Sequence, residues 1–192
     1  MNKSELRKLL SYRRESLSST EFEQRNSAMI EKLIEVLKQK TFEYIHIFLS
    51  IPQKNEPQTQ PIIDWLIEYK PEAKIVVSKS DFQHKRMLNY EYTGPHQLLA
   101  NKLGIPEPIE GEIIDPKLLD IVLVPMLGFD TDGHRLGYGQ GFYDRFLAND
   151  CKVNALKIGL SILPPIDNFQ LAEAHDVPLD MCITPFGVFE FQ

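Results

Sequence analysis

Residues 121–144 read Ile121-Val-Leu-Val-Pro125-Met-Leu-Gly-Phe-Asp130-Thr-Asp-Gly-His-Arg135-Leu-Gly-Tyr-Gly-Gln140-Gly-Phe-Tyr-Asp144. The opening apolar run does not alternate with polar residues, which is the pattern of a strand buried on both faces, as in parallel sheets. Five of the chain's ten glycines then fall between Gly128 and Gly141, and a helix-like stretch, 142–147, follows. Glycine permits positive φ and close backbone approach, at an entropic cost that ordinary loops have no reason to carry. A strand, a glycine-rich turn and a helix start together present free backbone N–H groups, which suits phosphate. The segment predicts an anion-binding loop in an α/β enzyme.

Working outward, residues 2–16 read as a helix with Leu6, Leu9, Leu10 and Leu17 on one face. Ser18 with Glu21, or Thr20 with Glu23, can form a capping box. The helix that follows carries Phe22, Met29, Ile30, Leu33, Ile34 and Leu37 at helical spacing. Residues 44–49 suit a buried strand and 52–60 a polar loop. Thr59 is placed to cap a helix running to Tyr69, with Trp65 in the core. Further strands are expected at 74–78 and 87–92, a Pro- and Gly-containing connection at 93–116, and a strand at 120–125. A helix at 140–149 and a strand at 156–162 complete the pattern. Neither an internal repeat nor a linker divides the chain. Strands alternating with helices predict a single domain of three layers, a largely parallel sheet flanked by helices, with ligands outside the strands' carboxyl ends.

Bulk properties exclude several classes. A chain of 192 residues can bury roughly 70% of its unfolded surface. The net charge is -6 and there is no long basic run, so general nucleic-acid or anionic-membrane binding is not expected. Cys151 and Cys182 have neither metal-site spacing nor the density of a disulfide scaffold, and read as free thiols. The N-terminus is charged and amphipathic, unlike a signal peptide, and no window is apolar enough to span a membrane. The expected compartment is the cytoplasm, and the expected state a monomer.

The glycines match neither common nucleotide signature. No Gly-Lys-Ser/Thr follows four residues after a glycine, and Gly137, Gly139 and Gly141 alternate where a dinucleotide fingerprint spaces its third glycine by three. Chemistry beside the glycines favours a functional reading. Arg135 offers a planar, always-charged phosphate fork. Tyr138 and Tyr143 offer aromatic surfaces, and Asp144 a hard oxygen ligand for magnesium. Lys3 and Arg7, four apart, share a helix face; spacing alone would leave that face as a solvated basic stripe.

The pattern Pro-x-Leu-Gly-Phe-Asp…Gly-x-Arg-Leu-Gly-x-Gly-x-Gly-x-Tyr-Asp closely resembles that of the 5-formyltetrahydrofolate cyclo-ligase family, and the resemblance extends over nearly the whole chain. Lys3-Ser4-Glu5-Leu6-Arg7 resembles the family's N-terminal Lys-x-x-x-Arg element. Phe48-Leu49-Ser50, followed by Glu56-Pro57-Gln58-Thr59, resembles its strand and Glu-x-x-Thr folate segment. Gly104-Ile105-Pro106-Glu107-Pro108 is similar to its Ile-Pro-x-Pro stretch, and His175-Asp176-Val177-Pro178-Leu179-Asp180 to its closing element. Phe142 departs from the pattern, standing where many members carry tyrosine; Gln140 fills a variable position, and the loop before Glu56 is longer than in some members.

The resemblance implies ATP- and magnesium-dependent cyclisation of 5-formyltetrahydrofolate, with or without a polyglutamate tail, to 5,10-methenyltetrahydrofolate. It implies that Lys3, Ser4, Glu5, Leu6 and Arg7, with Arg135, Leu136, Gly137, Tyr138, Gly139, Gln140, Gly141, Phe142 and Tyr143, contact ATP. Leu49, Glu56, Tyr138, Gly139, Gln140, Gly141 and Phe142 would contact the folate. Arg135 and Asp144 would be catalytic, and Asp144 with Asp176 would hold Mg2+, Asp180 being the competitor for the second place. Arg13 and Arg14 are left as surface charge, and His134 and His175 without a role. The competing readings are a sugar-phosphate isomerase or CoA-transferase-like enzyme, and a nucleotide-binding protein without turnover.

Overall fold

A computed structural model of the protein describes residues 2–101, 104–167, 171, 173 and 175–191. Two helices open the chain, α1 (Lys3–Glu15) and α2 (Ser19–Lys38), followed by β1 (Tyr44–His46), α3 (Gln60–Tyr69), β2 (Lys74–Asp81) and β3 (Arg86–Glu91). Next come the short strands β4 (Leu98–Ala100) and β5 (Pro106–Pro108), then β6 (Ile121–Pro125), β7 (Gly128–Phe129) and β8 (Arg135–Leu136). The chain ends with α4 (Phe142–Arg145), which continues as a π-turn over Phe146–Asp150, and β9 (Leu156–Leu160), β10 (Met181–Thr184) and β11 (Gly187–Glu190). Seven strands form the central sheet in the order β11-β10-β9-β6-β1-β2-β3. Its interior pairs are parallel, and β3 and β11 close the edges antiparallel.

Both faces of the sheet are covered, so its central strands alternate between two apolar layers. Ile45, Ile75, Val77, Ile121, Leu123, Ile158, Leu160 and Ile183 face the layer of α2 and α3. Val76, Val122, Val124 and Cys182 face Phe129 and the π-turn residues Phe146 and Leu147. A third cluster docks α1, through Leu6 and Leu10, on Leu127, Leu136 and Leu163. The apolar face expected for α2 is the face observed, and Leu6, Leu9 and Leu10 share one side of α1, whereas Leu17 lies beyond that helix and packs on the layer of α2 and α3. Asn2 and Glu5 form the capping box of α1, and of the two boxes expected for α2 the chain uses Ser18 with Glu21.

Several boundaries differ from expectation for identifiable reasons. The strand expected at 44–49 pairs as a ladder only to His46. Beyond it Thr59 Oγ1 donates to the Phe48 carbonyl at 2.7 Å, so Thr59 stands at the N-cap position of α3 without a side-chain capping bond, and Pro61 sits in the helix's first turn. Trp65 is half-buried, packed on the core and stacked on Tyr69 at 6.1 Å. The strand at 74–78 runs on to Asp81 in a long hairpin with β3. The 93–116 connection contains the small β4–β5 hairpin. The helix expected at 140–149 begins at Phe142, because Gly141 is left-handed (φ 64°), and it widens into the π-turn. The strands at 181–184 and 187–190 were not anticipated.

Candidate active site

From β1 the chain passes to β2 on one side and, after the hairpins, to β6 on the other, so the topology reverses between β1 and β6. Open α/β sheets bind ligands at such a switch point, beyond the strands' carboxyl ends. A cavity of about 900 Å³ lies there, lined by His46 at the end of β1, Phe48 and Leu49 beyond it, Ser78 and Ser80 of β2, and Pro125 at the end of β6. Lys3, Ser4 and Arg7 of α1 also line it, with Glu56, residues 135–144, and Asp176.

The quoted glycines divide into two groups. Gly128 and Gly133 belong to the β7–β8 hairpin, whose turn is held by Asp130 Oδ1 accepting from the Asp132 and His134 amides. Gly137, Gly139 and Gly141 line the cavity. Gly139 is at φ 91°, and a Cβ there would stand 3.2 Å from the Arg7 guanidinium carbon, so both conformation and space ask for glycine. Arg7 Nε in turn donates to the Gly137 carbonyl at 2.9 Å. With α4 a single turn long, the positive charge facing the loop comes from Lys3, Arg7 and Arg135 rather than from a helix end.

Arg135 is almost fully buried. Its guanidinium donates to the Val177 carbonyl and to Asp144 Oδ1, the latter at 2.5 Å. Burial pulls its pKa down, and Asp144 and then Asp176 oppose that shift. Lys3 Nζ lies 2.9 Å from both Glu173 and Asp176. Burial alone would lower Lys3, but these hydrogen bonds outweigh it and raise its pKa. Burial would likewise raise Asp176; the Glu173 amide and Lys3 prevail and lower it. Each carboxylate thus leaves one oxygen, Asp144 Oδ2 and Asp176 Oδ1, without a hydrogen bond among the described residues. Two hard oxygen donors facing one cavity fit magnesium, which completes its shell with phosphate oxygens and water. Among the described residues no cluster of three or more His, Cys, Asp or Glu could hold a metal unaided. Asp180 does not line the cavity; its carboxylate accepts from the Lys157 amide and lies 2.8 Å from Lys157 Nζ.

Glu56 is buried, with Oε2 accepting from the Ile51 amide at 2.7 Å and Oε1 from the Tyr138 hydroxyl. Burial and the neighbouring Glu56 carboxylate push the Tyr138 phenol far above its usual pKa. Phe142 meets Phe82 edge-on at 5.2 Å. His175 lines the mouth, 3.3 Å from Glu173.

Two residues named for ATP do not reach this cavity: Glu5 is spent on the Asn2 cap, and Leu6 is buried under α1. Three further residues belong to or support this cavity without a site role in the sequence reading. Lys54 lines the cavity with its ammonium 5.1 Å above the Tyr138 ring. Glu107, buried, accepts from the Ser80 amide at 3.1 Å. Arg14, expected at the surface, is only 2% exposed and donates to the Tyr138 hydroxyl and the Met126 carbonyl. Helical spacing held the clue to Arg14, since Lys3, Arg7 and Arg14 fall within about 40° of one another around α1.

Fold and site together define an α/β enzyme whose crevice joins a cationic end, with Lys3, Arg7 and Arg135, to a buried end that carries the Glu56 carboxylate. The 5-formyltetrahydrofolate cyclo-ligase family model matches residues 1–185, and the chain belongs to that family. It is 24% identical to a probable 5-formyltetrahydrofolate cyclo-ligase of Schizosaccharomyces pombe over 96% of both chains. It is 30% identical to the 5-formyltetrahydrofolate cyclo-ligase of Escherichia coli K12 over 77% of this chain and 80% of that one. The solved structure of Aquifex aeolicus 5,10-methenyltetrahydrofolate synthetase superposes with a TM-score of 0.83 at 29% identity, over 100% of this chain and 94% of the other. That from Mycoplasma pneumoniae gives 0.78 at 26%, over 96% and 99%. The chain is therefore a ligase of folate one-carbon metabolism. No helix among the described residues is long and apolar enough to cross a membrane.

Proposed function

We propose that this single-domain chain closes 5-formyltetrahydrofolate to 5,10-methenyltetrahydrofolate at the expense of ATP, with Mg2+ held by Asp144 and Asp176. One observation carries the reading: cations, paired carboxylates and the buried Glu56–Tyr138 pair line the same cavity. Its walls come from one chain, so a monomer suffices.

A formamide is a poor electrophile, and its oxygen a poor leaving group. In the first step the formyl oxygen attacks the γ-phosphorus of ATP and the bond to ADP breaks. N10 then adds to the activated carbon, the C–O bond breaks to release phosphate, and N10 gives up its proton. Lys3 and Arg7, on one face of α1, bind the phosphate chain, and Gly137–Gly141 backbone shapes its bed. Arg135, preorganised by Asp144 and the Val177 carbonyl, faces the charge that develops during transfer. Glu56 grips donor groups of the pterin, with Leu49 and Phe142 packing beside it, so that N10 and the formyl carbon stay within reach. Magnesium, when bound, would neutralise phosphate charge and orient the transferring group.

The test is to incubate the protein with 5-formyltetrahydrofolate, ATP and magnesium and to follow methenyl absorbance. A folded, ATP-binding preparation that develops no absorbance would sink the reading. Omitting magnesium, then restoring it, checks the metal separately.

A further inference from the structure

The buried Arg14 is not part of the phosphate site, and resting on the cyclo-ligase reading we infer that it is a positioning residue for the folate. Through Tyr138 it fixes Glu56 as a one-way acceptor for a pair of N–H donors on the substrate's pterin edge.

The argument is one of hydrogen-bond direction. A guanidinium can only donate. Arg14 Nη2 lies 2.9 Å from the Tyr138 oxygen, so that oxygen accepts and its own proton is left to point away. The Tyr138 hydroxyl donates to Glu56 Oε1, while the Ile51 amide donates to Oε2. Every group holding Glu56 is therefore a donor, and what its carboxylate still offers the cavity is lone pairs. A site built this way accepts N–H groups and rejects a ligand that presents a carbonyl at the same place.

The anchoring is firm at both ends. Arg14 Nη1 also donates to the Met126 carbonyl at 3.2 Å, and the Arg14 carbonyl accepts from the Asn55 side chain, which immediately precedes Glu56. Leaving Tyr138 without Arg14 would free the phenol to turn its proton elsewhere. Glu56 would then lie buried without the cation that balances it at one remove, which is costly. The same helix carries Lys3 and Arg7 to the phosphate end, so only its last turn is assigned to the folate.

The test compares wild type with Arg14→Met, Arg14→Lys, Tyr138→Phe and the Arg14→Met/Tyr138→Phe double variant. Folate and ATP KM are measured separately, with melting temperature as the folding check. Arg14→Met and Tyr138→Phe should each raise folate KM roughly tenfold and leave ATP KM within about twofold. The double variant should be no worse than either single one, and Arg14→Lys should recover part of the loss. If Arg14→Met fails to fold, Tyr138→Phe and the wild type decide. Wild type should bind a 2-oxo pterin analogue at least roughly tenfold more weakly than the 2-amino substrate, a gap that Tyr138→Phe narrows. Equal KM shifts for both substrates, additive losses, or equal binding of the two pterins by wild type would overturn the inference. A wild type that binds no folate would instead remove the underlying function.

Discussion

His46 sits on β1 with no exposed surface, between the Tyr143 ring at 5.8 Å and the Phe146 ring at 5.4 Å. Its Nε2 is 2.8 Å from Ser78 Oγ, and Ser78 donates onward to Asn89 at 2.7 Å, so the histidine carries its proton on Nε2. Nδ1 has no hydrogen-bond partner while unprotonated. Burial depresses the imidazole from 6.5 to about 4, with the Leu123 carbonyl opposing weakly because it could accept only from a protonated Nδ1. Between those two values an unfolded histidine binds a proton that the folded one refuses. Stability is therefore complete above about pH 6.5, falls as the pH falls, and levels off below about pH 4.

At 1.36 kcal/mol for each pH unit crossed, this one residue should remove roughly 2–3 kcal/mol between about pH 7.5 and 4.5. For a chain of this length that corresponds to roughly 5–10 °C in Tm. The control is His46→Gln, which keeps a donor for Ser78 but takes up no proton. Urea unfolding of both proteins across the range isolates the histidine, because their carboxylates are the same. The stability difference should change by roughly 2–3 kcal/mol in favour of the variant as the solution is acidified. Parallel pH profiles would refute the reasoning and place the imidazole in contact with water.

Three further outcomes are expected. Asp144→Asn should lower turnover on the order of a hundredfold while folate affinity, by calorimetry, changes less than about threefold. Because it strips Arg135 of its carboxylate, it should also cost about 1–3 kcal/mol in urea unfolding, less than a fully buried pair since Asp144 is partly exposed. Unchanged turnover would remove Asp144 from the mechanism. Arg135→Lys cannot serve the Val177 carbonyl and Asp144 with a rigid fork, and should lower kcat/KM at least roughly tenfold; a near-neutral result would argue against phosphate recognition there. Gly133→Ala is a stability test outside the cavity. Its φ of 83° and the Phe191 ring, 2.7 Å from the added carbon, predict a loss of about 1–3 kcal/mol with KM values kept.

The parts of the fold that were legible are those where one interaction dominates locally. The run at 121–125 announces a strand because both its faces are covered, and α2 announces itself because one face meets the sheet along its length. The β7–β8 hairpin was hidden because its strands are two residues long and owe their shape to Asp130 and to packing under α1. β10 and β11 were hidden for another reason: they complete an edge whose partner, β9, is more than twenty residues away in sequence.

The site follows the same division. Arg135, Asp144, Glu56 and Asp176 were legible because their residue types and spacing together carry a family pattern. Arg14 was not, because it stands beside Arg13 in an ordinary basic helix end, and only docking tells the two apart. Arg13 stays exposed, whereas Arg14 turns to the same side as Lys3, Arg7 and the buried Leu10. That docking rests on Leu10, whose methyl lies 2.8 Å from where a Cβ on Gly128 would stand. A side chain there would collide with the buried Leu10 methyl and disturb the packing that seats α1, the helix bearing Lys3, Arg7 and Arg14. Gly128, the first glycine of the quoted segment, thus helps seat that helix, and the last three present their backbone to the cavity.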